Sequence, residues 1–166
     1  MKRICLLLLS AALFQSCRSS LNQEQTTLTV DYLPRAVLPA FEQNTLKTEY
    51  RLNGSINPFY LSGNFDGDEV PDYAVFLQNK QSQKPAMVFI RGAEPGTPAI
   101  IEEGRWPALK SFNEIEYWKP TDHFPAGAGA SLPGIKGGGI VVGLKPQGEV
   151  RWLYWDGRQW QCVSPE

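Results

Sequence analysis

The order of polar and apolar residues changes most sharply in the stretch S-G-N-F-D-G-D-E-V-P-D-Y-A-V-F-L, which runs from Ser62 to Leu77. Its first half carries oxygen-bearing side chains at alternating positions, namely Asn64, Asp66 and Asp68, and a further one at Asp72. An almost continuously apolar run follows, as is typical of a strand that is covered on both faces. The stretch therefore predicts a polar turn that leads directly into a central strand.

The spacing of these side chains is suited to a hard cation. Calcium takes about six to eight oxygen ligands, and a tight loop can direct alternate side chains to one point while it adds a backbone carbonyl. Clustered carboxylates also repel one another, and a cation relieves that repulsion. The alternative is a metal-free turn, in which the same side chains accept hydrogen bonds from backbone amides.

The segment resembles the calcium loop of FG-GAP and VCBS repeats, whose form is roughly D-x-D-G-D-G-x-x-D followed by a hydrophobic residue. The resemblance implies side-chain ligands and one carbonyl ligand at Asn64, Asp66, Asp68, Val70 and Asp72. Asn64 departs from the pattern by replacing an acid, and Glu69 departs from it by replacing the second glycine. The loop occurs once, whereas a propeller needs several blades, so the resemblance implies one hairpin and not a full propeller.

Residues 1–16 have the parts of an export signal. Lys2 and Arg3 precede an apolar stretch from Ile4 to Phe14, and a small residue, Ser16, comes before Cys17. The apolar stretch is too short for a spanning helix. The sequence L-F-Q-S-C resembles a bacterial lipobox, which implies that Cys17 is acylated, with chains such as palmitate, and becomes the new N-terminus. We therefore expect an exported protein that is held on a bacterial membrane by lipid, with its domain facing the periplasm or the exterior.

Two cysteines would remain after the signal is removed, Cys17 and Cys162. If Cys17 is acylated, Cys162 has no partner in an oxidising compartment and is expected to be a buried thiol. If cleavage occurs upstream of Cys17 without acylation, a disulfide between the two becomes available.

The remaining chain is predicted to form a polar tether, residues 17–29, and one globular domain, residues 30–166. Removal of Lys2 and Arg3 with the signal changes the formal net charge from −1 to −3. A charge this small, with interspersed signs, gives no indication of nucleic acid binding.

The domain is predicted to be α+β, with an N-terminal helix packed on a mainly antiparallel sheet. Apolar residues recur at near-helical spacing between Asp31 and Tyr50, with Asp31 as a cap and a kink or restart at Pro39. Gly, Pro and Asn then separate short β-like runs. We expect strands at 59–61, 73–78, 86–91, 99–102, 114–118, 140–144, 150–155 and 159–163, with 73–77 and 87–90 placed centrally.

Near the end of the chain, the Asp156-Gly157 pair predicts a hairpin with a two-residue turn. This register pairs Leu153 with Trp160 and Arg151 with Cys162. Trp152 and Tyr154 then share the opposite face, where we expect them to be buried beneath the helix, and the alternative is an exposed aromatic patch. A Gly-rich loop from Gly127 to Gly139 is predicted to be a flexible rim.

Residues for catalysis are few. His123 is the only histidine, and it follows Asp122. The sequence has no G-x-S-x-G elbow to supply a nucleophile. Carboxylate pairs for glycoside cleavage could be drawn from Glu102, Glu103, Glu114 and Glu116, although solvated strand edges explain these acids more simply.

These observations favour a non-enzymatic cell-envelope lipoprotein, a binding or assembly module with a structural calcium loop. Its partner protein is not identified by the sequence. The alternative hypothesis is a periplasmic hydrolase that uses Asp122, His123 and nearby acids.

Overall fold

The computed structural model describes residues 28–124, 132 and 134–165. The predicted signal, Cys17 and most of the predicted tether therefore lie outside the described residues. No helix in the described part of the chain is long and apolar enough to cross a membrane.

The N-terminal segment is helical only in short pieces. Two 3-10 turns, Val30–Tyr32 and Arg35–Val37, precede helix α1 (Leu38–Phe41) and helix α2 (Asn44–Glu49). A helix does begin beside Pro39, where a kink or restart was predicted, because α1 has Pro39 in its first turn. The predicted helix from Asp31 to Tyr50 is nevertheless broken further, because Pro34 and Gln43 adopt extended backbone angles. Asp31 is not a cap either, since it lies inside the first turn and its carboxylate accepts a hydrogen bond from the Thr29 hydroxyl.

The burial of this segment nevertheless follows the predicted pattern. Leu33, Val37, Phe41 and Leu46 are all buried, and they pack on one face of the first sheet. The apolar spacing therefore identified the buried residues correctly, although the predicted helix is broken into short pieces.

The first sheet is antiparallel and has five strands. They are β1 (Tyr50–Leu52), β2 (Tyr60–Gly63), β3 (Asp72–Asn79), β4 (Pro85–Ile90) and β5 (Ala99–Glu102). Strand β3 pairs with β4 on one side and with both β1 and β2 on the other, and β4 also pairs with β5. The prediction that β3 and β4 are central is confirmed, whereas β1 was not predicted.

The second sheet is an antiparallel meander of four strands. They are β6 (Ile115–Thr121), β7 (Gly139–Leu144), β8 (Glu149–Trp155) and β9 (Trp160–Val163), paired in chain order. A 3-10 turn, Phe112–Glu114, precedes β6. The described residues are thus mainly antiparallel strands with few helices, which confirms the predicted fold class.

The main core lies between the two sheets. Phe76 and Phe89 point from the first sheet toward Trp118, Leu153 and other side chains of the second. The opposite face of the first sheet is covered by the helical segment, so that the alternate residues of β3 and β4 are buried on both sides. The molecule is therefore a two-sheet sandwich with a helical layer on one outer face.

The C-terminal hairpin has a different register from the predicted one. Trp155 pairs with Trp160 and Leu153 pairs with Cys162, so the connection has four residues and not two. The Asp156 carboxylate explains the longer turn, because its Oδ1 accepts hydrogen bonds from the amides of Arg158 and Gln159, both at 2.8 Å. The shift is two residues, and every side chain consequently keeps its predicted face.

Trp152 and Tyr154 are buried, as predicted. They do not lie beneath the helical segment, however. They pack on the outer face of the second sheet with Leu132 and Phe124, as a separate small core.

Candidate metal centre in the loop between β2 and β3

The loop between β2 and β3 is built on side-chain to backbone hydrogen bonds. The amide of Gly67 donates to Asn64 Oδ1 at 2.8 Å, that of Asp68 to Asp66 Oδ1 at 3.1 Å, and that of Val70 to Asp68 Oδ1 at 2.8 Å. Short Asn and Asp side chains favour such turns because their oxygens replace a backbone carbonyl. The bends also use two residues with positive φ, Gly67 at +82° and Glu69 at +70°.

Asp72, the first residue of β3, is the central acceptor of the site. Its side chain is only 1% exposed, and it is the one charged residue that is buried among those described. Oδ2 accepts from the amides of Phe65 at 2.7 Å and Asp66 at 3.1 Å, and Oδ1 accepts from the amide of Gly92 at 2.9 Å. One carboxylate thus joins this loop to the loop between β4 and β5.

The carboxylates of Asp66, Asp68 and Asp72 form a cluster that could hold a metal ion. One oxygen from each lies within 4.8 Å of the others. Burial raises the pKa of Asp72, and three backbone amides oppose that shift. Burial also raises the pKa of Asp66, and the negative charges of Asp72 and Asp68 raise it further. The site therefore carries unfavourable negative charge that a bound cation would offset.

The donor set fits a hard cation. All the side-chain donors are oxygens, which suit calcium, magnesium or manganese and not zinc or copper. The backbone amides of the loop engage Oδ1 of Asp66 and Asp68, and within the described residues no amide engages Oδ2 of either. Those two Oδ2 atoms are available as ligands. Asp72 can add less, because both of its oxygens already accept hydrogen bonds.

The two other predicted ligands lie in the same loop. Asn64 Oδ1 already accepts the Gly67 amide, which leaves it capacity for one further partner. The Val70 side chain is 39% exposed, and its amide is bound by Asp68. The structure thus brings Asp66, Asp68 and Asp72 together as a group and places Asn64 and Val70 beside them on the loop.

Part of the Gly-rich segment, from Lys136 to Gly138, packs against this loop. The Gly138 amide donates to the Asn64 carbonyl at 2.7 Å. A Cβ on Gly137 would lie 2.5 Å from the Phe65 carbonyl carbon, and one on Gly67 would lie 2.8 Å from the Lys136 carbonyl oxygen. Gly137 and Gly138 permit this close approach of two backbones, and the flexible rim stays a prediction. Residues 127–131 lie outside the described part of the chain.

The hydrolase hypothesis rests on Asp122 and His123 together with nearby acids. Asp122 and His123 are exposed just after β6, and the backbone of His123 hydrogen-bonds with the Thr121 hydroxyl. Among the described residues, no His, Cys, Asp or Glu gathers with them into a group of three like the aspartate cluster.

The four glutamates have separate surroundings. Glu102 accepts a hydrogen bond from the Tyr50 hydroxyl, and Glu103 accepts from Ser111 and from the Phe112 amide. Glu114 and Glu116 are exposed before and on β6. Glu102 and Glu103 thus hold neighbouring segments in place.

Cys162 is a half-buried free thiol at the edge of the main core. Burial raises its pKa to about 12. These features agree with the predicted buried thiol, whereas pairing with Cys17 concerns a residue outside the described part.

Two contributors to the site were not predicted. They are Gly92, whose amide binds Asp72, and Gly138, whose amide binds Asn64. Neither carries a local signal, because each reaches the loop through long-range packing.

Comparison of the chain with family models, with curated proteins and with solved structures finds no match.

Proposed function

We propose that this chain is a non-enzymatic lipoprotein of the cell envelope, a binding or assembly module whose loop from Asn64 to Asp72 holds a structural calcium ion. The carboxylate cluster carries the calcium proposal, since three acids converge within 4.8 Å. Neither ion pair of the described residues involves these three acids.

The proposed role of calcium is to fix the loop and not to take part in a reaction. Asp66 and Asp68 would supply their remaining oxygens, with Asn64, the Val70 carbonyl or water as further ligands. The ion would order the connection between β2 and β3 and the Gly-rich segment that packs on it. Any partner would then bind to a surface whose shape depends on calcium.

Thermal unfolding tests the calcium site. Wild type should melt at a temperature about 5 °C higher in excess calcium than in chelator, as expected for a ligand well above its Kd. The double variant Asp66→Asn with Asp68→Asn should lose this difference. Glu116→Gln, which removes an exposed acid on β6, should keep it. Identical melting of wild type in both conditions would exclude the calcium proposal.

The anchor requires a separate measurement. Cys17→Ser should abolish incorporation of labelled palmitate and release the protein from the membrane fraction, because the basis of the anchor is the lipobox-like sequence. If wild type takes up no label and fractionates with soluble proteins, the lipoprotein assignment fails while the calcium result stands.

A hydrolase panel discriminates between the proposal and its rival. We expect that the wild type shows no turnover that depends on His123, so that the wild type and His123→Ala give the same result on every substrate. Turnover that depends on His123 would contradict a binding-only role.

A further inference from the structure

A pocket of about 400 Å³ lies on the helical face of the first sheet, where α1, α2 and β1 meet. Its apolar wall includes Leu38, Phe41, Leu46 and Leu52. Val30, which is 40% exposed, also lines it. A volume of several hundred Å³ with a mainly apolar wall is typical of a small-molecule site.

One end of this pocket is cationic. Lys47, Arg51 and Lys80 line it where α2, β1 and the end of β3 converge. The Lys80 ammonium donates to the Lys47 carbonyl at 2.7 Å, and the Arg51 guanidinium donates to the side-chain oxygens of Gln78 and Gln83. These acceptors are neutral, and neither ion pair of the described residues includes the three cations. Their positive charge is therefore not compensated by a paired acid.

Two acids, Asp31 and Glu42, also line the pocket, and the three cations leave its lining with one excess positive charge. The pocket thus combines an apolar wall with a positive end, and this is the complement of a single alkyl chain with an anionic head. A ligand with two chains would need more apolar volume than this pocket offers.

We propose that this pocket binds one long-chain fatty acid, with its alkyl chain against Leu38, Phe41 and Leu46 and its carboxylate at Lys47, Arg51 and Lys80. The inference is independent of calcium, because the pocket and the acidic loop lie at opposite ends of β3. Asp72 begins that strand, whereas Lys80 directly follows its last residue.

Photo-crosslinking in membranes that contain the full-length protein tests this inference. The probe is palmitate that carries a diazirine and an alkyne. Mass spectrometry should find the label in the tryptic peptide 36–47, which contains Leu38, Phe41 and Leu46. Unlabelled palmitate should compete, whereas hexadecyltrimethylammonium, which has the same tail and the opposite charge, should not.

Two substitutions probe the cationic end and the apolar wall. Lys47→Glu, at an exposed position, should lower labelling about fivefold, as expected when one partly exposed charge contact is reversed. This substitution removes a tryptic site, so its label is measured in peptide 36–51 and compared with the summed label of peptides 36–47 and 48–51 of the wild type. Lys84→Glu reverses an exposed charge outside the pocket and should leave labelling unchanged. Leu38→Asp should lower labelling without loss of the folded state, since Leu38 is only half-buried.

Three results would overturn the proposal. Equal competition by the cationic surfactant would show that the surface does not select an anionic head. Equal labelling of Lys47→Glu and wild type would show that the carboxylate is not held there. Absence of label in peptide 36–47 is the result expected if a second copy or the chain before residue 28 fills the pocket.

Discussion

At Asp72, three backbone amides from two loops converge on one buried carboxylate. Asp72→Asn would place an amide nitrogen where one of these N–H donors needs an acceptor. We expect the free energy of unfolding in chelator to fall by about 1–3 kcal/mol, because a buried donor loses its partner. Asp68→Asn is the matched control, since Asp68 is exposed and the new side chain keeps an oxygen for the Val70 amide. Urea unfolding of both variants measures the difference, and equal losses would contradict this account.

Glu69 occupies the position at which the resembled calcium loop has glycine, and its φ of +70° is unfavourable for a residue with a Cβ. Glu69→Gly should therefore raise the free energy of unfolding in chelator by about 0.5 kcal/mol, after the entropic cost of glycine is subtracted. Glu116→Gly, within strand β6, should lower it by about 1 kcal/mol. Urea unfolding in chelator should therefore show changes of opposite sign in the free energy of unfolding of the two variants. A loss of stability in both would contradict the strain argument.

The thiol of Cys162 should react slowly with alkylating agents. Its pKa rises from 9.0 to about 12 on burial, so that at pH 8 the folded state holds about 1000-fold fewer thiolates. The raised pKa favours the folded state below about pH 9, and that contribution is lost as the pH rises toward 12. Iodoacetamide labelling of the tryptic peptide 159–166, with and without urea, measures the rate. Equal rates would show that the thiol is not protected.

For individual residues, the sequence identified those that meet in the loop but not all of their hydrogen-bond partners. Asp66, Asp68 and Asp72 are close in sequence, and local chain geometry alone brings them together. The amides of Gly92 and Gly138 reach Asp72 and Asn64 only after the sheets have formed, and no short pattern encodes that contact.

The Gly-rich segment and the acidic loop are in close backbone contact at Gly137. Gly137→Ala would put a Cβ within 2.6 Å of the Asn64 and Phe65 carbonyl oxygens, and both backbones would have to move. We expect a loss of about 1–3 kcal/mol in unfolding free energy and weaker calcium binding. Gly96→Ala is the control, since its nearest neighbour would be 3.8 Å away and it should be nearly neutral. Equal stability of the two variants would indicate that the segment is not packed on the loop.

Strands were predicted better than their connections. Alternation and apolar runs located eight of the strands within a few residues, because side-chain burial repeats along each strand. The helical segment and the C-terminal hairpin depended on single residues, Pro34, Gln43 and Asp156. Asp156 offers one carboxylate to two amides, and this local hydrogen bonding overrides the usual preference of an Asp-Gly pair for a two-residue turn.

For the whole molecule, the division into two facing sheets was not predicted, although the mainly antiparallel α+β class was. Which strands share a sheet depends on long-range pairing, and apolar runs alone look the same in one large sheet or in two. The contacts that unite the sheets are mostly aromatic. Phe89 of β4 stacks on Trp160 of β9 with ring centroids 3.8 Å apart, and Trp118 Nε1 of β6 donates to the Pro58 carbonyl.

This shared core predicts that the two sheets unfold together. Trp106, Trp118 and Trp160 lie in the core between the sheets, so tryptophan fluorescence reports the separation of the two sheets. Far-ultraviolet circular dichroism reports strand content. The two probes should give one coincident transition in urea. Phe89→Ala should shift both by about 3–5 kcal/mol, whereas Tyr32→Ala, at a side chain that is 56% exposed, should change neither by more than about 0.5 kcal/mol. Separate transitions, with strand content retained after fluorescence has changed, would mean that the sheets dock as independent units, joined by the connection between β5 and β6, and do not share one core.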